Sequence, residues 1–382
     1  MPFSSRQPME GPRRAHLSLV ADPHARIREL DGVRGIAVLL VLLFHFFSWS
    51  MGQTGWSGLP LLIENLSRMG WSGVNLFFVL SGFLITRILL KNRTQPNYYR
   101  SFYLRRALRI LPLYYLTVLI CLFYPGGAAF AGVSALHLSN MAPILGVVMV
   151  HPGLWSLSVE EHFYLVWPTI VKRLSLKGLA HCCALLCLFV PCLRMYFHDH
   201  ATSSYTWFRV DSLAWGALLG MAYDHFTSSS ARYRLALAAF ATGSLILLLG
   251  WRLGVTTRNS VLGAGLQFTF LDLLYSSFIL TAIANPSGNF LARTLRAWPL
   301  QRLGDLSYCL YLIHQPLLSL YEWIVPKPEQ IGSALFSYLT LRAVVVLATA
   351  CGLASLSERF FEKPIQRLRS RPTQRPTFAN AA

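Results

Sequence analysis

The sequence predicts an all-α, polytopic membrane protein: a bundle of about ten transmembrane helices with both termini on the cytoplasmic side. Three observations carry this. Of 382 residues, 54% are hydrophobic and 13% charged, against roughly a quarter charged in soluble domains. Several apolar runs reach the roughly 20 residues that cross a bilayer. Arginine and lysine gather in alternate connections between those runs, as in cytoplasmic loops.

The runs place spans at about 33–50, 70–90, 101–124, 155–172, 178–197, 207–226, 235–252, 261–285, 303–325 and 333–357. With the N-terminus inside, the inner connections hold Arg87 to Arg109, then Lys172 to Lys177, then Arg232 and Arg234, then Arg293, Arg296 and Arg302. Outer connections hold few basic residues, among them Arg68, Arg258 and Lys327. Residues 1–29 read as a basic cytoplasmic arm, 30–367 as one membrane domain and 368–382 as a basic cytoplasmic tail. The first apolar run starts near Val33 with no small-residue cleavage site after it, so an uncleaved anchor is expected.

The net charge of +18 does not indicate nucleic acid, because the positive residues sit where membrane topology requires them. The seven cysteines lie in or beside apolar segments without a metal-type C-x-x-C pair, so neither a metal site nor a disulfide framework is expected. Residues 131–151 are apolar but contain Asn140 and Pro143. Were they a span, every later basic loop would face outward, so a re-entrant or surface-lying segment is expected.

Arg34 and His45 stand eleven residues apart in the first run. At about 100° per residue they share a helix face, roughly 16 Å apart. Ionisable groups inside a span are costly and mark a pathway or a catalytic site. His45 reads either as a buried, hydrogen-bonded neutral imidazole or as a general base toward an acceptor hydroxyl. Arg34 reads as a snorkelling residue or, with Arg105, Arg106 and Arg109 of the RRALR cluster, as part of a phosphate-binding set. A coenzyme A arm has about the length that separates the arginine from the histidine.

In LWSLSVEEHFYLVWP, Glu160 and Glu161 favour the helix N-terminus electrostatically, or else a carboxylate orients the His45 imidazole. The glycines of GWSGVNLFFVLSGFLI read as close packing, leaving Asn75 and Ser81 as polar candidates. Ser307, Tyr311 and His314 fall on one stripe of LGDLSYCLYLIHQPLL, with Pro316 bending its outer half. Arg209 and Asp211 form either an ion pair or an acceptor contact. His198 to His200 read as a solvated loop rather than a metal site.

These segments, with RRALRILPLYY and the terminal SERFFEKPIQR, occur in an order that resembles the acyltransferase 3 family from about Leu30 to Arg367. The resemblance implies an integral-membrane O-acyltransferase. Such proteins move acyl groups, commonly acetyl, from cytosolic acyl-CoA to hydroxyls of glycans or lipids, sometimes of macrolides. It implies that Arg34 and His45 are essential, that the glutamate after WSLSV is Glu160, and that the arginines before I-L-P are Arg105 and Arg109. Some family members carry a C-terminal hydrolase-like domain. Here a basic tail follows the last span, so final transfer is expected in the membrane core or on a separate partner.

The expectation is thus an inner-membrane enzyme that uses acetyl-CoA or another acyl-CoA, without a metal, to modify a glycan or lipid-linked acceptor. His45 is the base or transient acyl carrier, and Glu160 orients it. Arg34, Arg105 and Arg109 hold the donor. Asn75, Ser81, Glu161, Arg209, Asp211, Tyr311 and His314 contact the acceptor. Membrane lipids are partners, nucleic acid is not, and a homo-oligomer is left open. The rivals are acylation of a small hydrophobic molecule such as a macrolide, and a transporter or flippase. No inverted repeat supports the latter.

Overall fold

A computed structural model describes residues 27–48, 56–198, 204–227, 230–252, 260–284, 290–328 and 332–367. The arm over 1–26, the tail over 368–382, and Asp199 and His200 of the histidine-rich loop lie outside the described residues. The helices are α1 (Arg28–Leu43), α2 (Gly58–Arg68), α3 (Gly73–Lys91), α4 (Tyr98–Cys121), α5 (Gly127–Ala135), α6 (Leu154–Arg173) and α7 (Leu176–Tyr196). They continue with α8 (Val210–Thr227), α9 (Ser230–Arg252), α10 (Val261–Ala284), α11 (Phe290–Leu295), α12 (Trp298–Ile324), α13 (Ser333–Ser357) and α14 (Lys363–Arg367). No strand occurs among the described residues.

Each of the ten sequence-predicted spans falls on a helix. Five helical stretches are long and apolar enough to cross a membrane: Arg28–Ser48, Gly58–Lys91, Leu176–Tyr196, Val261–Ile283 and Ser333–Arg367. The protein is a membrane protein on that ground. Its surface agrees, because Leu119 and Phe123 near the end of α4 and Leu185, Leu188 and Phe189 of α7 point outward and are exposed. Meanwhile Arg194, Arg209, Asp211, Asp272 and Arg342 are at most 1% exposed. Apolar residues outside and charges inside suit a lipid environment.

Two short helices, α2 and α5, go beyond the sequence reading. The segment 131–151 is not a span: α5 has nine residues, and turns with a short 3-10 helix at Ser139–Met141 follow it. Nine residues rise about 14 Å, half the hydrocarbon thickness.

Backbone contact decides which helices pair. At Gly82 a Cβ would lie 2.0 Å from the Leu213 carbonyl oxygen, and at Gly216 it would lie 1.9 Å from that of Val79. Only glycine permits this approach of α3 to α8. At Gly304 a Cβ would meet the Asp31 carbonyl oxygen at 1.9 Å, and at Gly35 that of Leu300 at 2.2 Å, which seats α1 on α12. Gly70 and Gly73 similarly meet Leu40 and Ala37 of α1. The reading of Gly70, Gly73 and Gly82 as packing residues therefore holds. One apolar core joins α1, α3, α4, α6, α7, α8, α12 and α13, and a second gathers the start of α1 with α3, α10 and α11.

Candidate active site

α1 does not continue unchanged to its end. Over Phe44–Ser48 it winds as a π-helix, a local widening often found at functional sites. His45 lies in that widened turn. Arg34 and His45 do not line one cavity. They line two.

The first cavity, about 190 Å³, lies between α1, α3, α4, α6 and α12 and is lined by Arg34, Arg106, Arg109, Glu160, Glu161 and Tyr311 among others. Arg34 Nη1 donates to Asp31 Oδ1 at 2.9 Å, one helical turn back. The Arg106 guanidinium carbon sits 3.6 Å from the centroid of the Tyr164 ring, a cation–π contact that fixes its plane. Glu160 Oε1 accepts from Ser81 Oγ at 2.8 Å, and Oε2 accepts from the Tyr164 hydroxyl at 2.9 Å. Arg109, three residues beyond Arg106, also lines the cavity and is exposed. Arg105 does not line it. The RRALR cluster thus contributes Arg106 and Arg109 rather than Arg105 and Arg109. Offsets of three and four residues are both helix neighbours, so spacing did not separate these choices.

The second cavity, about 150 Å³, is lined by His45, His151, Gln315, Glu322 and Arg342 among others. His45 Nδ1 is 2.8 Å from the Val41 carbonyl oxygen, and Nε2 is 3.0 Å from Gln315 Nε2. Glu160 is therefore not the orienting partner expected for His45: its own oxygens bond to Ser81 and Tyr164, and both ring nitrogens of His45 have other neighbours. His151 Nε2 donates to the Leu312 carbonyl at 2.8 Å. Burial in its connection, outside the spans, pushes this imidazole below its usual pKa range. Arg342 pairs with Glu322 and donates to the Phe46 carbonyl at the π-turn.

α12 separates and joins the two cavities. Ser307 and Tyr311 face the first; Gln315 and Ser319 face the second. These four positions step by four residues, extending the predicted stripe by another turn and a half. The Tyr311 hydroxyl is 2.5 Å from Ser156 Oγ. His314 lines neither cavity and is fully buried, its ring 4.8 Å from that of His45 and 5.9 Å from that of Tyr311, centroid to centroid.

Asn75, Arg209 and Asp211 lie elsewhere. Asp211 takes Arg194 as a partner, with both carboxylate oxygens engaged at 3.0 and 2.8 Å. Arg209 Nη2 donates to Asn75 Oδ1 at 2.9 Å, and Asn75 Nδ2 donates to Asp272 Oδ1 at 2.9 Å. Ser212 donates to the other oxygen of Asp272 at 2.8 Å. This is a buried network joining α3, α7, α8 and α10, in which Arg194 engages the Asp211 carboxylate. Arg194 and Asp272 are charges inside apolar spans, and that alone marked them for attention.

Among the described residues no group of three or more His, Cys, Asp or Glu is arranged to hold a metal ion. All seven cysteines are free.

A family model described as an acyltransferase domain matches residues 27–356. YrhL of Bacillus subtilis is 28% identical over 388 aligned residues, covering 90% of this chain and 55% of its own length. The peptidoglycan O-acetyltransferase OatA of Listeria monocytogenes is 27% identical, covering 89% of this chain and 56% of its own. The O-acetyltransferase OatA of Staphylococcus aureus is 25% identical, covering 88% and 57%. The chain thus spans little more than half the length of the curated relatives it matches. No solved structure matches.

Proposed function

The chain belongs to the acyltransferase 3 family, and from that premise we propose that it moves an acetyl group from acetyl-CoA to a hydroxyl of a cell-envelope glycan. The observation that carries this is the convergence of Arg34, Arg106 and Arg109 on one cavity, with His45 lining the neighbouring one. The relatives named for O-acetylation, of peptidoglycan in the Listeria protein, support a glycan over a macrolide as the acceptor.

The three guanidiniums suit the phosphates of coenzyme A. The cavity is far too small for the whole molecule, so the nucleotide stays at its mouth and the thin pantetheine arm threads through it along α12, carrying the thioester toward His45 in the second cavity. His45 accepts the proton of the acceptor hydroxyl at Nε2. The acceptor oxygen bonds to the acyl carbon, the carbon–sulfur bond breaks, and the departing thiolate takes the proton back from Nε2. Glu160 and Glu161 balance the arginine charge in the first cavity.

α4, α6, α8, α9 and α12 each have at least 18 residues, long enough to be the remaining spans. α4, α6 and α12 are more polar because they carry the cavity side chains, and α8 because it carries Asp211. Ten crossings of the inner membrane, with both termini cytoplasmic, bring the arginine cavity toward the donor side. One acyltransferase unit then covers 30–367.

The test is binding of acetyl-CoA to the detergent-purified protein. Saturable binding that Arg34→Ala and Arg106→Ala weaken, and His45→Ala keeps, is the expected result. A well-folded parent that binds no acyl-CoA overturns the donor assignment and favours a transporter.

A further inference from the structure

The hydrogen bonds around His45 have one consistent assignment. A carbonyl oxygen only accepts, so Nδ1, 2.8 Å from Val41 O, carries the ring hydrogen. Nε2 of the neutral ring is then a lone pair, and the contact at 3.0 Å is a donation from the Gln315 amide nitrogen. The amide cannot be reversed, because the Gly153 backbone N–H donates to Gln315 Oε1 at 2.9 Å, and an N–H has nothing to offer an NH₂ group. Three segments therefore meet in one chain of bonds: the turn before α6, α12, and the π-turn of α1. Gly153 is part of the device, since a Cβ there would crowd Gln315 Oε1 at 3.2 Å.

We propose that Gln315 is a positioning residue for His45. Its amide, anchored on Gly153, holds the imidazole as the Nδ1–H tautomer with the Nε2 lone pair at the second cavity. When the acceptor hydroxyl arrives, it donates to Nε2 and the Gln315 N–H turns to the acceptor oxygen. This rests on the reading of His45 as the base.

The groups facing His45 are His314 from α12, His151 from the connection before α6, Tyr124 from the turn after α4, Glu322 from the end of α12 and Arg342 from α13. The carboxylate in this set, Glu322, is engaged by Arg342. Gln315→Glu therefore brings a new carboxylate to hydrogen-bond reach of Nε2. It still accepts from Gly153, but toward the ring it accepts instead of donating, and so favours the imidazolium.

The experiment is the pH profile of acetyl transfer to the glycan acceptor, with acetyl-CoA saturating. Gln315→Glu is expected to move the acidic limb upward by about one to three pH units, with the KM for acetyl-CoA unchanged. Gln315→Met lowers kcat by roughly tenfold without moving the limb, the loss of one orienting hydrogen bond. A residue that only filled space would move neither the limb nor kcat. A folded Gln315→Glu protein with the parent profile overturns the proposal. If His45→Ala still transfers, the base reading falls and this inference with it. If His45→Ala is inactive and the Gln315→Glu limb is unmoved, the inference falls alone. Should Gln315→Glu not fold, ¹⁵N-histidine NMR of the parent at alkaline pH decides, with the His45 signal assigned by its loss in His45→Ala. The Nδ1–H tautomer supports the proposal, and the Nε2–H tautomer overturns it.

Discussion

Replacing Asp211 with alanine tests whether its carboxylate serves the fold or the substrate. Arg194 and Asp211 are both 0% exposed. Arg194 donates to both oxygens of Asp211, to the Phe208 carbonyl at 2.7 Å and to the Gly265 carbonyl at 3.0 Å. Removing one member of a buried ion pair costs about 3–5 kcal/mol, chiefly because the other charge is left behind. The two carbonyls still receive the guanidinium, which favours the lower end. At the unfolding entropy typical of folded domains, about 2 cal/mol/K per residue, a loss of that size lowers the midpoint by roughly 4–6 °C for this chain length. The assay is thermal unfolding in detergent followed by tryptophan fluorescence. Arg194→Met combined with Asp211→Leu should recover most of the loss, because an apolar pair leaves no buried charge. An Asp211→Ala protein that melts with the parent but loses affinity for the acceptor would refute the reasoning.

Further expectations concern the cavities and the helix contacts. Arg106→Ala should weaken acetyl-CoA binding about ten- to a hundredfold, the worth of a charged hydrogen bond, while Arg105→Ala changes it less than about twofold in the same titration. His45→Ala should abolish transfer yet leave both the melting midpoint and acetyl-CoA binding near those of the parent. Gly216→Ala should prevent accumulation of folded protein, because its Cβ would overlap the Val79 carbonyl oxygen; Gly352→Ala, with nothing within 4 Å of its Cβ, should express normally. Fluorescence-detected gel filtration distinguishes the two.

The helical class and the membrane setting were legible in composition and run length, because hydrocarbon tolerates only a backbone whose bonds are satisfied within the segment. The charged and polar candidates were legible too, since an ionisable group in an apolar run stands out against its surroundings. Their partners were not. The order of residues along α4 left Arg105 and Arg106 equivalent, and a one-residue change in phase decides which guanidinium enters a cavity. Gln315 follows His314 in the chain and was not among the stripe residues, and only the meeting of α12 with the turn at Gly153 gives its amide a direction.

What the sequence determined by itself was therefore the solvent of each segment: which stretches can stand in lipid, and which residues are too polar to do so alone. Tertiary structure decided the pairing. It gave Asp211 to Arg194, turned Glu160 toward Ser81 and Tyr164, and set His45 in a cavity apart from Arg34. The physical reason is range. Burial is a sum over a segment's own side chains, whereas a hydrogen bond or ion pair depends on ångström-scale placement of groups as far apart in the chain as His45 and Gln315.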